Sequence, residues 1–307
     1  MRNHFIAEIE RQAETDPRIV VMTADLGYSV LDSFREKFPD RFVNVGICEQ
    51  NMASMAAGLA LSGYRVFTYS IGNFPVMRCL EQLRNDVCYH NADVTVVAVG
   101  GGFAYGQLGM SHHATEDLAI TRSLPGMKVY VPADPVEAEL VAGKVCEDGG
   151  PAYVRLAKRG EPCLHEDARE LDVSRILELR KGDDVAVIAT GSILSEALRA
   201  ADSLAGEGIR IGVYNCITLK PFDKDGFMSL ARRYSKIVSL EEHNVIGGLG
   251  GCLSECLAEM KTATSRPVLH RMGLMDEYCS VVGSNSFLRS HYAISAADIV
   301  RVVKNEI

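Results

Sequence analysis

The chain of 307 residues reads as an α/β protein of two domains. Three features predict this. Short continuous apolar runs recur along the chain, helical patterns separate them, and a charged stretch containing Gly and Pro interrupts the alternation past the middle. Apolar runs without strict alternation are strands buried on both faces. Strands alternating with helices make a parallel sheet covered on both sides. The charged interruption marks a domain boundary.

In order, residues 3–13 read as a helix, and Arg18-Ile19-Val20-Val21-Met22-Thr23 as a buried strand leaving through Ala24-Asp25-Leu26-Gly27. Helices are expected over 49–62, 75–89 and 135–147. Strands are expected over 65–69, 94–99, 127–131 and 152–155. These elements make a first domain over 1–160. A linker over 161–182 follows, opening on Glu161-Pro162 and carrying Glu166-Asp167-Ala168-Arg169-Glu170. The second domain, 183–307, begins with the strand Val185-Ala186-Val187-Ile188-Ala189, which runs through Thr190-Gly191-Ser192 into a helix. Further strands read at 209–214 and 236–240. The glycines of Gly247-Gly248-Leu249-Gly250-Gly251 suggest a tight turn into a helix over 251–261. No internal repeat or low-complexity tract is visible.

Composition narrows the function classes. Hydrophobic residues make up 47% and charged residues 23%, and the net charge is −8. That balance argues against nucleic acid or an anionic membrane as the main partner. No apolar run is long enough to cross a bilayer, and the N-terminus carries acid too early to read as a signal peptide. The nine cysteines are scattered without a Cys-x-x-Cys pair, which suits a reducing cytoplasm. Cys252 and Cys256, one helical turn apart, read as packing rather than metal binding.

One stretch stands apart. Gly46-Ile47-Cys48-Glu49-Gln50 places a single carboxylate at the head of a small-residue run, Ala53-Ser54-Met55-Ala56-Ala57-Gly58. Such a run packs closely, so Glu49 is expected at a buried edge. A carboxylate there must be neutralised or hydrogen-bonded. A first-turn acid is also favoured by the helix dipole alone. Farther on, the Gly-rich segment Gly100–His113 follows a strand. It matches neither a dinucleotide fingerprint nor a phosphate-binding P-loop. Its two histidines, His112 and His113, lack the partners of a zinc site, and no metal ligand set is read in this chain.

Taken together, Gly46-Ile47-Cys48-Glu49-Gln50, Gly109-Met110-Ser111-His112-His113 and Glu242-His243-Asn244-Val245-Ile246-Gly247-Gly248-Leu249-Gly250 resemble, in that order, the C-terminal portion of transketolases. The likeness covers essentially the whole chain. It extends to deoxyxylulose-phosphate synthases and, more distantly, to the β subunit of 2-oxo-acid dehydrogenases. The resemblance implies a thiamine-diphosphate-binding pyrimidine-type domain followed by a transketolase C-terminal-type domain. It implies that Glu49 bonds N1′ of the cofactor's aminopyrimidine, a task for an acid able to share a proton near neutral pH. Phe74 is the expected stacking ring, with Tyr69 and Arg78 nearby, and Asp25 is expected near the thiazolium. His112 is expected to contact substrate oxygens, with His113 as the second candidate. Arg155, Lys158 and Arg159 follow the last strand of the first domain and suit a sugar phosphate. They equally suit a solvated face. Glu116 and Asp117 read as caps of the next helix. His243 and the glycines after it are expected to support subunit packing, without a catalytic role.

Such enzymes hold the diphosphate through Mg2+ or Ca2+ on a Gly-Asp-Gly motif followed by an Asn. This sequence has no Gly-Asp-Gly; Gly182-Asp183-Asp184 runs directly into a strand. A diphosphate needs a cation or a cluster of donors. The expected partner is therefore an N-terminal transketolase subunit carrying that half, in an α2β2 assembly around a homodimer core. The expected reaction is ketol transfer between sugar phosphates. A deoxyxylulose-phosphate synthase-like or dehydrogenase E1β-like subunit is the enzyme alternative, and a non-catalytic scaffold subunit the alternative of another class.

Overall fold

The computed structural model describes residues 1–165, 171–260 and 266–305. The stretch Glu166–Glu170 and the end of the helix expected over 251–261 lie outside the described residues.

The first sheet is built from β1 (Ile19–Thr23), β2 (Phe42–Asn44), β3 (Arg65–Ile71), β4 (Val94–Val99), β5 (Lys128–Tyr130) and β6 (Ala152–Leu156). Between them come α1 (Arg2–Thr15), α2 (Asp32–Lys37), α3 (Glu49–Leu61), the short α4 (Leu80–Gln82) with a π-helical turn over Leu83–Cys88, α5 (Asp117–Ser123) and α6 (Pro135–Asp148). Every pairing among these six strands is parallel. Alternate residues of β1 feed two different cores. Val20 and Met22 pack with Met52, Ala53, Ala56 and Ala57 of α3, while Ile19 and Val21 pack with Phe5 and Ile9 of α1 and Val141 of α6. A strand sandwiched in this way cannot show period-two polarity, which is why its sequence is uniformly apolar.

The second sheet holds β7 (Ile176–Arg180), β8 (Val185–Ala189), β9 (Ile211–Cys216), β11 (Lys236–Asn244) and β12 (Val268–Leu274), in the order β12-β11-β8-β9-β7. Its helices are α7 (Leu194–Ala205), α8 (Lys224–Arg233), α9 (Leu249–Glu259), α10 (Asn285–His291) and α11 (Ala296–Asn305). Cys252 and Cys256 both point from α9 into the core.

Three features of the fold differ from, or add to, the expected elements. The segment 161–182 is not all linker: β7 lies within it and pairs antiparallel with β9 as an edge strand. Its half-buried Ile-Leu-Glu-Leu-Arg sequence gave no continuous apolar run. The helix expected over 75–89 starts only at Leu80. Residues 73–77 instead form a turn in which Phe74 N donates to Ile71 O and Met77 N to Asn73 O. Finally, a strand of the second half, β10 (Thr218–Lys220), crosses to pair antiparallel with β5 and completes the first sheet as a seventh strand.

That crossing makes the two domains one packed body, and a single apolar cluster runs through both, from Met52 and Tyr153 to Ile188, Phe227 and Leu253. Polar groups complete the seam. Arg155, expected as a phosphate clamp, is 5% exposed and pairs with Asp117 at 3.2 Å. Its Nη2 donates to Ala114 O at 2.7 Å and Glu242 O at 2.8 Å. Tyr153 also donates to Asp117, at 2.5 Å. Arg155 is thus an interior strut, its buried charge met by Asp117 and its Nη2 by two backbone carbonyls. Asp117 is its counter-ion as well as the first residue of α5.

A second polar hub involves the connection between the domains. Glu137 of α6 accepts from Asn215 of β9 at 2.7 Å, and its Oε1 lies 2.6 Å from His165 Nε2. This hydrogen bond raises the His165 pKa above its ordinary value of about 6.5, against the opposing effect of burial. A raised folded-state value contributes stability that is full below the unfolded value and is lost as pH rises through the folded one. The melting temperature of the chain should therefore fall as pH rises above the ordinary imidazole value of about 6.5, and His165→Gln should flatten that decline. An equal slope in both proteins, read by thermal melts above that value, would contradict the hub.

Candidate active site

Parallel strands in register end together, and the loops beyond their carboxyl ends gather on one rim. Thr23 of β1 pairs with Asn44 of β2 and Tyr69 of β3, while Ile71 pairs with Val99 of β4, and Val99 with Leu156 of β6. The loops carrying Asp25, Asn44, Asn73, Gly100 and Lys158 therefore leave the sheet side by side.

Glu49 opens α3 and is 3% exposed. Ala53, Ala56 and Ala57 let the helix lie close on the sheet, and this carries the carboxylate inward. The group is not unpaired: Arg78 Nη1 donates to its Oε2 at 2.7 Å. The Arg78 guanidinium also lies 4.9 Å from the Phe74 ring centroid. Phe74 in turn meets the His112 imidazole edge-on, with centroids 5.3 Å apart. Four of the expected site residues thus form one continuous chain: Glu49, Arg78, Phe74 and His112.

The chain continues through Tyr105. Its ring centroid lies 6.4 Å from that of His112, and Lys158 Nζ sits 4.6 Å from the same Tyr105 centroid. Gly100 makes this possible. At φ +92° it tolerates the turn, and a Cβ there would collide with the Tyr105 ring. Tyr105 was not singled out in the sequence; it is one of two aromatics, with Phe103, among the glycines of 100–109.

Asp25 is held from below. Its φ of +57° is costly for a residue with a Cβ. Asn44 Oδ1 accepts from Asp25 N and from Gly46 N, each at 3.0 Å, and Asn44 Nδ2 donates to Asp25 Oδ1 at 3.2 Å. Tyr28 donates to the same carboxylate oxygen at 3.2 Å. One amide therefore ties the Asp25 loop to the loop that delivers Glu49, and Asn44 too was passed over in the sequence.

Three expected residues lie elsewhere. Tyr69 is buried in the core on the α1 side of the sheet, beneath Gly27 and Leu31, and burial pushes its phenol up to about 12. His113 turns away from His112: it is 2% exposed, packs edge-on against Phe103, and its Nε2 lies 3.4 Å from Gly106 O. Burial lowers its pKa, so the ring is neutral and enclosed. Arg155 is the seam strut described above. His243, read without a catalytic role, is fully buried, with Nε2 accepting from Ala119 N at 3.3 Å.

The rim is edged by exposed apolar side chains carried on the same loops: Tyr28, Ile47 (75% exposed), Met77, Leu108 and Met110. Among the described residues, the group with metal-ligand proximity is Asp134, Glu137 and His165, at the domain seam rather than on these loops. Asp183 and Asp184 are engaged by Arg210 at the turn into β8.

Asn44→Ala should loosen both tied loops while sparing the core. Backbone amide exchange at Asp25 and Gly46 should rise by roughly fivefold to tenfold, as losing about 1 kcal/mol of hydrogen bonding per contact implies. Unchanged exchange at both amides, measured by hydrogen–deuterium exchange, would contradict the tie.

Sequence comparison places this geometry among known proteins. Residues 1–161 match the transketolase pyrimidine binding domain, and residues 174–299 match the transketolase C-terminal domain. The chain is 35% identical over 303 residues to the 6-deoxy-6-sulfo-D-fructose transketolase subunit of Clostridium sp. strain MSTE9, covering 98% of this chain and 92% of that one. It is 32% identical over 300 residues to an apulose-4-phosphate transketolase subunit of Actinobacillus succinogenes, covering 98% and 94%. Its structure superposes with a TM-score of 0.86 on a split-gene transketolase solved as an inactive β4 tetramer, at 35% identity, covering 99% of this chain and 96% of that one.

Proposed function

The chain belongs to the transketolase family, and from that premise we propose that it is the C-terminal subunit of a two-component, thiamine diphosphate-dependent transketolase. The observation that carries this reading is the unbroken series Glu49–Arg78–Phe74–His112 on a rim fringed with exposed apolar residues. The residues fit the aminopyrimidine end of the cofactor: a buried carboxylate with an aromatic ring beside it. They do not fit its diphosphate end, since these loops offer no set of cation ligands. That end, with Mg2+ or Ca2+, is assigned to an N-terminal subunit docked on the apolar fringe. An α2β2 assembly follows if two copies of this chain form its centre. The relatives named as transketolase subunits, matched over nine-tenths of their length, support the division of labour.

Bound thiamine diphosphate supplies the nucleophilic carbon that two-carbon ketol transfer requires. The protein's own groups do the rest. Glu49 holds and exchanges a proton at the pyrimidine N1′. Arg78 fixes the rotamer of that carboxylate. Phe74 stacks on the ring, and Asp25 lies toward the thiazolium end. Tyr69 acts only from below, by supporting the loop around Gly27. His112 donates to substrate oxygens, and its contact with Ser111 Oγ, 3.0 Å from Nδ1, fixes the ring's orientation. Lys158, held over Tyr105, is the cation for a sugar phosphate; His113 and Arg155 serve the walls behind.

No helix among the described residues is long and apolar enough to cross a membrane. Nine free cysteines fit a cytoplasmic protein.

Purified alone, the chain should show no ketol transfer. Mixed with an N-terminal subunit that carries Gly-Asp-Gly and a later Asn, it should show turnover that depends on thiamine diphosphate and a divalent cation. Full activity from the isolated chain, in a coupled assay of ketose to aldose transfer, would overturn the two-component reading.

A further inference from the structure

Asn73 leaves β3 directly after Gly72 and touches both walls of the rim. Its backbone carbonyl accepts from Val76 N at 3.2 Å and Met77 N at 2.9 Å, and so shapes the turn that presents Phe74 and Arg78. Its side-chain Nδ2 donates to Ser111 O at 2.7 Å. Ser111 precedes His112 within the short 3-10 turn Met110–His112, which is otherwise held by His112 N donating to Gly109 O. The other half of the amide, Oδ1, is enclosed and has no partner. A residue selected for packing would be apolar here, because an unpaired enclosed carbonyl is costly. The amide is instead spent on one contact, and that contact ends at the residue beside His112.

We propose that Asn73 is a positioning residue for His112, fixing the turn that carries the imidazole against the Phe74 ring. The inference rests on the reading of His112 as a substrate-contacting group. Without the amide, the Met110–His112 turn keeps its own short backbone bonds, the Ser111 Oγ contact with His112 Nδ1, and the ring contacts of His112 with Phe74 and Tyr105, but no hydrogen bond from it reaches the end of β3. An imidazole that wanders by about an ångström loses much of its effect on a reacting oxygen.

Two variants separate this from a general role in stability. Asn73→Ala removes the donor. Asn73→Asp keeps the size but sets a carboxylate against the Ser111 carbonyl. In the complex assembled with its N-terminal subunit, each should lower kcat roughly 10- to 100-fold with the cofactor KM little changed. Combined with His112→Ala, neither should lower kcat further, since a misplaced imidazole and a missing one cost the same. In the isolated chain, Asn73→Ala should speed hydrogen–deuterium exchange across residues 106–113, and His112→Ala should not. Multiplying losses in the double variant, or unchanged exchange over 106–113, would overturn the proposal. Full activity of His112→Ala would instead remove the reading beneath it. The two failures are distinguishable because the exchange data report on the Asn73 tie without any turnover.

Discussion

The pair between Glu49 and Arg78 is the interaction on which the rim depends. The carboxylate is delivered inward by a helix whose small residues let it lie close on the sheet, and the burial that follows demands a partner. Arg78 meets that demand from a half-exposed position, its side chain 47% accessible. Solvent screens a pair of this kind, so it is worth little as stabilisation. Its value is geometric. One guanidinium fixes the carboxylate rotamer and lies against the Phe74 ring, so the acid and the aromatic keep a set relation, while the acid stays open to exchange with an incoming donor.

That relation holds only if the loops stay in register, and the domain seam keeps them there. The Gly-rich loop that leads to His112 leans on the second domain: Phe103 N donates to Glu242 Oε1 at 2.7 Å, and Asn285 Nδ2 donates to the same oxygen at 2.7 Å. Glu242 is also paired with Arg289 at 2.7 Å. Breaking one member of such a buried network leaves another charge uncompensated, at a cost of about 3–5 kcal/mol. The second domain therefore acts on the rim from behind, through the Arg155–Asp117 strut and Glu242. It contributes no side chain to the Glu49–His112 series itself.

Much of this was legible in the sequence. The strands from β1 to β6 announced themselves because burial on both faces requires uninterrupted apolar runs, and α3 did so through its small residues. Glu49, Phe74, Arg78 and His112, singled out separately in the sequence, lie next to one another in the fold. What stayed hidden depends on long-range pairing. The strands β7 and β10 are short pieces whose existence is decided by distant partners, and nothing local marks a strand that joins another domain's sheet. His113 and Arg155 carry the residue types of a substrate site, yet a one-residue step in a turn sends His113 inward, and Arg155 meets its acid only across the fold. Asn44, Asn73 and Tyr105 were invisible for a related reason. Polar loop residues are common, and only the folded distances separate a tie between two loops from an ordinary turn.

The most direct test of the central claim is the rate at which the C2 proton of thiamine diphosphate exchanges with solvent in the assembled complex. A Glu49→Gln variant keeps the shape and the contact with Arg78 but cannot hand over a proton. Exchange should slow by roughly 10²- to 10⁴-fold, the usual contribution of a positioned acid–base group. An exchange rate equal to that of the unmodified complex, with the cofactor fully bound in both, would contradict the account.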